Sequence, residues 1–135
     1  MAAFISWNCR GFMNKSSELK DIINKHNPAC IALQETYLTT DKHYLRNYEI
    51  FSKHHIQDHS SGGVALLAAS HISSMTLNLN TNLQAVAIRI QMPLRGSSSI
   101  DVTGFTTPRY PSVYFSFRLF LPLSFLLFSS FPRGY

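Results

Sequence analysis

Acidic residues are scarce in this chain. Seven Asp and Glu stand against twelve Lys and Arg in 135 residues, a formal charge of +5. That balance suits an anionic partner, either nucleic acid or an acidic membrane surface, although many basic domains of this size bind no polyanion. Cysteine is nearly missing: only Cys9 and Cys30 occur. They flank the first expected helix at strand-like positions, which reads as two buried free thiols in a reducing compartment and not as a disulfide. No His stands at a spacing that would polarise either as a catalytic thiolate. A secretory leader is not recognisable, because Met1 to Ser6 has no basic region and no long apolar run. A membrane span is lacking too. The most hydrophobic run, Leu119 to Phe128, is too short, is interrupted by Pro122, and follows Arg118. The expectation is an intracellular protein, in nucleus or cytoplasm, with no membrane partner.

What is present suits one small domain, or part of a larger one, with 45% apolar residues to build a core. Phe4 to Trp7 reads as a short strand. After the turn at Arg10 to Met13, Asn14 is the expected helix cap. Leu19, Ile22, Ile23 and His26 then share one helical face. Asn27-Pro28 ends the helix, because a residue before proline avoids the helical region. Ala29 to Leu33 is apolar throughout, as a buried strand is. Tyr48 to Ser52 and Val64 to Ala69 read as further strands, with a polar loop between them from His54 to Ser61. Met75, Leu77 and Leu79 alternate with polar residues, as in a strand with one wet face. A turn at Thr81-Asn82 leads to a hairpin partner over Ala85 to Ile90, and Ile100 to Phe105 follows the Gly/Ser loop at Arg95 to Ser99. The fold class is therefore α/β, a mixed sheet in an α/β sandwich. No repeat is visible. Composition changes after Pro108: residues 110–135 contain no Asp, Glu, Lys, Asn or Gln. The expected division is a domain part at 1–108 and a degraded or frame-shifted hydrophobic tail at 109–135.

The chemistry gathers at two strand ends. A strand–helix–strand crossover joins parallel strands and is nearly always right-handed. Asn8 and Glu35 each come directly after an expected strand, so both should reach the rim where open α/β sheets bind ligands. One carboxylate beside one amide can hold a hard cation such as Mg2+, which keeps several waters and takes few protein ligands. Arg10, with its forked guanidinium, is the candidate for a phosphate contact. A solvated loop carboxylate remains open for Glu35, and a turn former for Asn8. The loop residues His54, His55, Asp58 and His59 suit a solvated loop better than a metal cluster. Trp7 suits the core.

Ile5-Ser6-Trp7-Asn8-Cys9-Arg10-Gly11, Leu33-Gln34-Glu35-Thr36 and Gly62-Gly63-Val64-Ala65 occur in an order that resembles the endonuclease/exonuclease/phosphatase superfamily. The wording is most similar to the apurinic-type endonuclease domain of jockey-like non-LTR retrotransposons. Leu83 to Ile90 adds to the likeness, which runs from about Phe4 to Pro108. The resemblance implies an incomplete, N-terminal part of that sandwich fold. It further implies a Mg2+-dependent DNA endonuclease with Glu35 as the main Mg2+ ligand and Asn8 holding metal and phosphate. In full-length relatives a reverse transcriptase module extends the nicked DNA. Related phosphatases of inositol lipids and sphingomyelinases keep other phosphoesters open, though Trp7 to Gly11 favours the retrotransposon branch.

The sequence also departs from that pattern. Phe105, in Gly104-Phe105-Thr106-Thr107-Pro108, stands where the family carries a Tyr. Phe125 to Pro132 resembles a worn copy of a strand ending in Gly-Asp-Phe-Asn, with Ser130 in place of the Asp and Pro132 in place of the Asn. The family's second half, with its Ser-Asp-His segment, has no counterpart in the 135 residues. The expectation is a nuclease fragment inactive as it stands, or else a non-catalytic nucleic-acid-binding remnant or a non-functional pseudogene product.

Overall fold

A computed structural model describes residues 2–38, 43–53, 62–80, 84–92, 98–106, 111–116 and 126–131. Strand β1 (Ala2–Asn8) and strand β2 (Cys30–Gln34) run parallel, with Phe4 opposite Cys30 and Asn8 opposite Gln34. Helix α1 (Ser16–His26) is the crossover between them. Its end matches the sequence: Asn27 turns left-handed, at φ 43°, its N–H bonds to Ile23 O at 2.8 Å, and Pro28 follows. Its start does not. Asn14 lies inside a 3-10 turn, Met13–Lys15, and Lys15 precedes the helix with no side-chain cap bond. Phe12 explains the difference. It is buried, and its N–H is tied to Thr36 O at 2.8 Å, so the chain turns tightly before the helix can begin.

Three more strands complete the first sheet: β3 (Tyr48–Lys53), β4 (Val64–Ala69) and β9 (Leu126–Phe131). The order is β3-β4-β2-β1-β9, with β9 parallel to β1 and the β2–β4 and β4–β3 pairs antiparallel. The second sheet, β5 (Ser73–Leu77), β6 (Gln84–Met92), β7 (Ser98–Thr106) and β8 (Pro111–Ser116), is antiparallel throughout in chain order. The fold is thus the mixed-sheet α/β sandwich that the pattern implies. Strands β8 and β9 both come from the stretch after Pro108, one in each sheet.

Gly104 shows which faces meet. A Cβ there would lie 2.9 Å from Val64 Cγ2 and 3.4 Å from Leu66 Cδ2, so β4 turns those two side chains to the second sheet. By strand alternation and register, Gln34, Ala32, Ser6 and Asn8 share that face. Ile5, Trp7, Ile31 and Leu33 occupy the other face, which the crossover helix covers with Leu19, Ile22 and Ile23. All of β2 is buried. Across β6 and β7, the Arg89 guanidinium donates to both Asp101 carboxylate oxygens, at 2.8 and 3.1 Å, fixing the register of that pair.

One strand departs from its expected face. Met75 in β5 is 56% exposed, and Leu79, just past the end of the strand, is 39% exposed, while Leu77 is half-buried, so the alternating apolar positions do not form one buried side. β5 is the outer strand of its sheet, and the first sheet packs over β6, β7 and β8. Alternation records which residues share a face, but an edge strand that overhangs has little to bury against. No helix among the described residues is long and apolar enough to cross a membrane.

Cys9 and Cys30 are free and buried. Burial pushes the Cys30 thiol up to about 12 and that of Cys9 up to about 11. Tyr48, whose hydroxyl donates to Pro28 O at 2.6 Å, is also pushed to about 12, by burial first and then by nearby Cys30. The unfolded chain therefore releases these protons before the folded one does. Stability is fully present below pH 9 and falls as pH climbs from 9 towards 12, by on the order of 1 kcal/mol per pH unit for Cys30. Urea titrations between pH 8 and 11 should show the decline. A thiol reagent at pH 8 should label neither cysteine before unfolding.

Candidate metal and phosphate site at the strand rim

The parallel register sets Asn8 beside Gln34, and Glu35 follows at once, so the amide and the carboxylate share one rim. Backbone bonds lace the turns behind them. Cys9 N–H donates to Gln34 O at 3.1 Å, Gly11 N–H to Glu35 O at 2.8 Å, and Phe12 N–H to Thr36 O at 2.8 Å. On the far side, Thr36 N–H reaches Gly63 O at 3.4 Å and Tyr37 N–H reaches Gly62 O at 2.9 Å. The Cys9 thiol rests against the carbonyls of Gln34 and Glu35, at 3.5 and 3.9 Å. Three sequence motifs far apart in the chain are thereby sewn into one platform.

The platform is strained at the rim. Arg10, Glu35 and Tyr37 are non-glycine residues with φ of 50°, 51° and 55°. Each left-handed residue costs about 1–2 kcal/mol. The lacing bonds hold them there, and Glu35 is fixed by its neighbours on both sides.

Asn8 Oδ1, Glu35 Oε2 and Thr36 Oγ1 are all buried with no hydrogen-bond partner. Arg10 Nε lies 3.6 Å from Glu35 Oε2, a charge contact too long to be a hydrogen bond. Leaving a buried acceptor unpaired costs roughly 1–3 kcal/mol. Oxygen atoms of an amide, a carboxylate and a hydroxyl are the hard donors that Mg2+ prefers. The donor set therefore fits such an ion, with a single carboxylate. Among the described residues, no group of three or more His, Cys, Asp or Glu is gathered to hold a metal.

Arg10 lies beside Glu35 with its side chain half-exposed, and the register sets Asn8 on the neighbouring strand, opposite the residue before Glu35. Trp7 is buried, as a core residue. Phe105 lies in β7, its Cα opposite those of Ala85 and Ser112, and Ser130 lies in β9 opposite Ser6. The His54, His55, Asp58 and His59 loop and Pro132 fall outside the described residues. Sequence reasoning missed Thr36. Its one signal was a hydroxyl directly after the carboxylate, which a turn explains equally well.

The endonuclease/exonuclease/phosphatase family pattern matches residues 5–127. The chain belongs to that family. The Asn8, Glu35 and Gly62-Gly63 motifs of this family member are the ones laced at the rim. No curated protein matches the chain significantly. Among solved structures it is similar to the endonuclease domain of TRAS1, a telomere-specific non-LTR retrotransposon, with a TM-score of 0.59 and 13% identity. That likeness is one of fold. It covers 93% of this chain but 58% of that one, so the chain spans little more than half the length of this relative.

Proposed function

We propose that the chain carries part of a nuclease-type phosphodiesterase site, with DNA as substrate and Mg2+ as the ion. The observation behind this is the pair of partnerless buried oxygens, Asn8 Oδ1 and Glu35 Oε2, at the rim of a family member. Glu35 and Asn8 would hold the ion, with Thr36 beside them. When bound, the ion supplies Lewis-acid charge at a phosphate oxygen. Arg10, beside Glu35, would turn to that phosphate, where its fork would give two parallel bonds. The parallel to retrotransposon endonucleases makes nicking of target DNA, beside a reverse transcriptase module, the process such a site would serve.

Strand cleavage also needs a group to orient or deprotonate the attacking water, worth about a hundredfold or more. Asn8, Arg10 and Glu35 do not supply one, and Phe105 brings no phenol hydroxyl to a phosphate. These 135 residues alone are therefore expected to bind Mg2+ and DNA without nicking. A non-catalytic nucleic-acid-binding role is the second reading, favoured by the single carboxylate and the +5 charge.

The test is a Mg2+ titration followed by NMR, with supercoiled plasmid incubated in parallel. Shifts at residues 8–11 and 34–37 that vanish in Glu35→Gln support the ion site. Absence of those shifts in the native chain overturns it. A band shift without nicking is the expected plasmid result, whereas nicking that Glu35→Gln abolishes would show an enzyme.

A further inference from the structure

The rim carries a second feature. One register row crosses the first sheet: Asn8, Gln34, Val64 and Lys53 are Cα partners in turn. Three strand spacings separate its ends, about 14 Å. At the Lys53 end, where β3 meets β5 and β6 of the other sheet, lies an open groove of about 290 Å³. Phe51, Leu77 and Val86 are among its apolar walls, and Lys53, Thr76 and Asn78 supply a cation, a hydroxyl and an amide.

We propose that this groove is a nucleotide subsite. It would take one base and sugar of a nucleic-acid strand whose scissile phosphate lies at Glu35. A flat base has apolar faces and hydrogen-bonding edges, which suits a cleft of mixed lining. Its phosphate is anionic, which suits Lys53. Gln34, which precedes Glu35, is two strand spacings from Lys53, about 10 Å, or three base steps of duplex DNA at about 3.4 Å each. A strand lying along the rim therefore presents a flanking nucleotide to the groove. An apolar peptide would leave the polar groups of Thr76 and Asn78 without matching groups in the groove. The inference rests on the nucleic-acid reading above, but not on the ion site.

The experiment uses the ¹⁵N-labelled full chain in EDTA, so that the ion site is silent. Thymidine 5′-monophosphate, thymidine, inorganic phosphate and a single-stranded DNA 12-mer are titrated separately. The monophosphate and the 12-mer should shift the amides of Lys53, Thr76 to Leu79 and Ala85 to Ala87. Inorganic phosphate should leave Val86 and Ala87 unmoved. Lys53→Gln, at an exposed position, should weaken 12-mer binding several-fold and lower its salt slope by about one. Thr76→Phe, also exposed, should abolish the groove shifts. Glu35→Gln should leave them intact. Groove shifts in a chain that takes no Mg2+ support the subsite and sink only the ion site. Groove amides silent at saturating 12-mer, equal shifts with phosphate alone, or a Lys53→Gln chain that binds as before would each overturn the subsite.

Discussion

Replacing Glu35 by glycine is expected to make the metal-free chain more stable and unable to hold a divalent cation. Both effects come from the same two facts. Glu35 sits at φ 51°, where a side chain costs about 1–2 kcal/mol and glycine costs none. Its Oε2 is buried with no hydrogen bond, and removing it relieves a further part of roughly 1–3 kcal/mol. Against this stand the entropy of an added glycine, about 0.5–1 kcal/mol, and a charge contact to half-exposed Arg10 that is worth little. The net gain is about 1 kcal/mol or more, a rise in midpoint of several degrees for a domain of this size. Glu35 is the charged donor of the proposed ion site, so its loss should remove the response to Mg2+. Native chain should be stabilised by added Mg2+ in proportion to its occupancy, and Glu35→Gly should not. Thermal melts with and without Mg2+ give both numbers. A variant less stable than native in EDTA would show that the turn is not strained. A variant still stabilised by Mg2+ would show that the ion binds elsewhere.

The placement of Asn8 and Glu35 at one rim was legible in the sequence. A parallel crossover needs only an apolar run, an amphipathic helix closed by Asn27-Pro28, and a second apolar run, and those suffice to bring Asn8 and Glu35 to one rim. The buried thiols and the buried Trp7 followed from the same runs. The left-handed conformations of Arg10, Glu35 and Tyr37 did not follow, because nothing local asks for them. They are imposed by bonds from Gly11, Phe12 and Gly62, which depend on the assembled sheet. Asn14 failed as a cap because tertiary burial of Phe12 outweighed local propensity. The exposure of Met75 was hidden for a related reason: periodicity says which residues share a face and not whether that face is covered. The Lys53 groove is built from strands of two sheets, so no window of sequence contains it.

Gly63→Ala should be more damaging than the same change at Gly11 or Gly104, and a second substitution should undo half of the damage. Gly63 has φ +90°, a conformation that side chains rarely adopt. A Cβ there would lie 2.6 Å from Thr36 Oγ1, with Lys53 O at 3.7 Å and Tyr37 N at 3.8 Å closing the space. Thr36 cannot step aside easily. It is 1% exposed and β-branched, and its backbone is bonded to both Phe12 and Gly63. The backbone cost is about 1–2 kcal/mol, and the overpacking adds about 1–3 kcal/mol. Their sum, about 3 kcal/mol, is a large part of the stability of a typical domain. Thr36→Ala alone removes a partnerless hydroxyl and should be close to neutral. Combined with Gly63→Ala it removes the clash but not the backbone cost, so the double variant should regain about half the loss. Urea denaturation of all four chains measures that coupling. If Gly63→Ala proves harmless, or if the two changes simply add, then Gly63 and Thr36 do not meet as described. The platform beneath Glu35 would then be looser than the lacing implies.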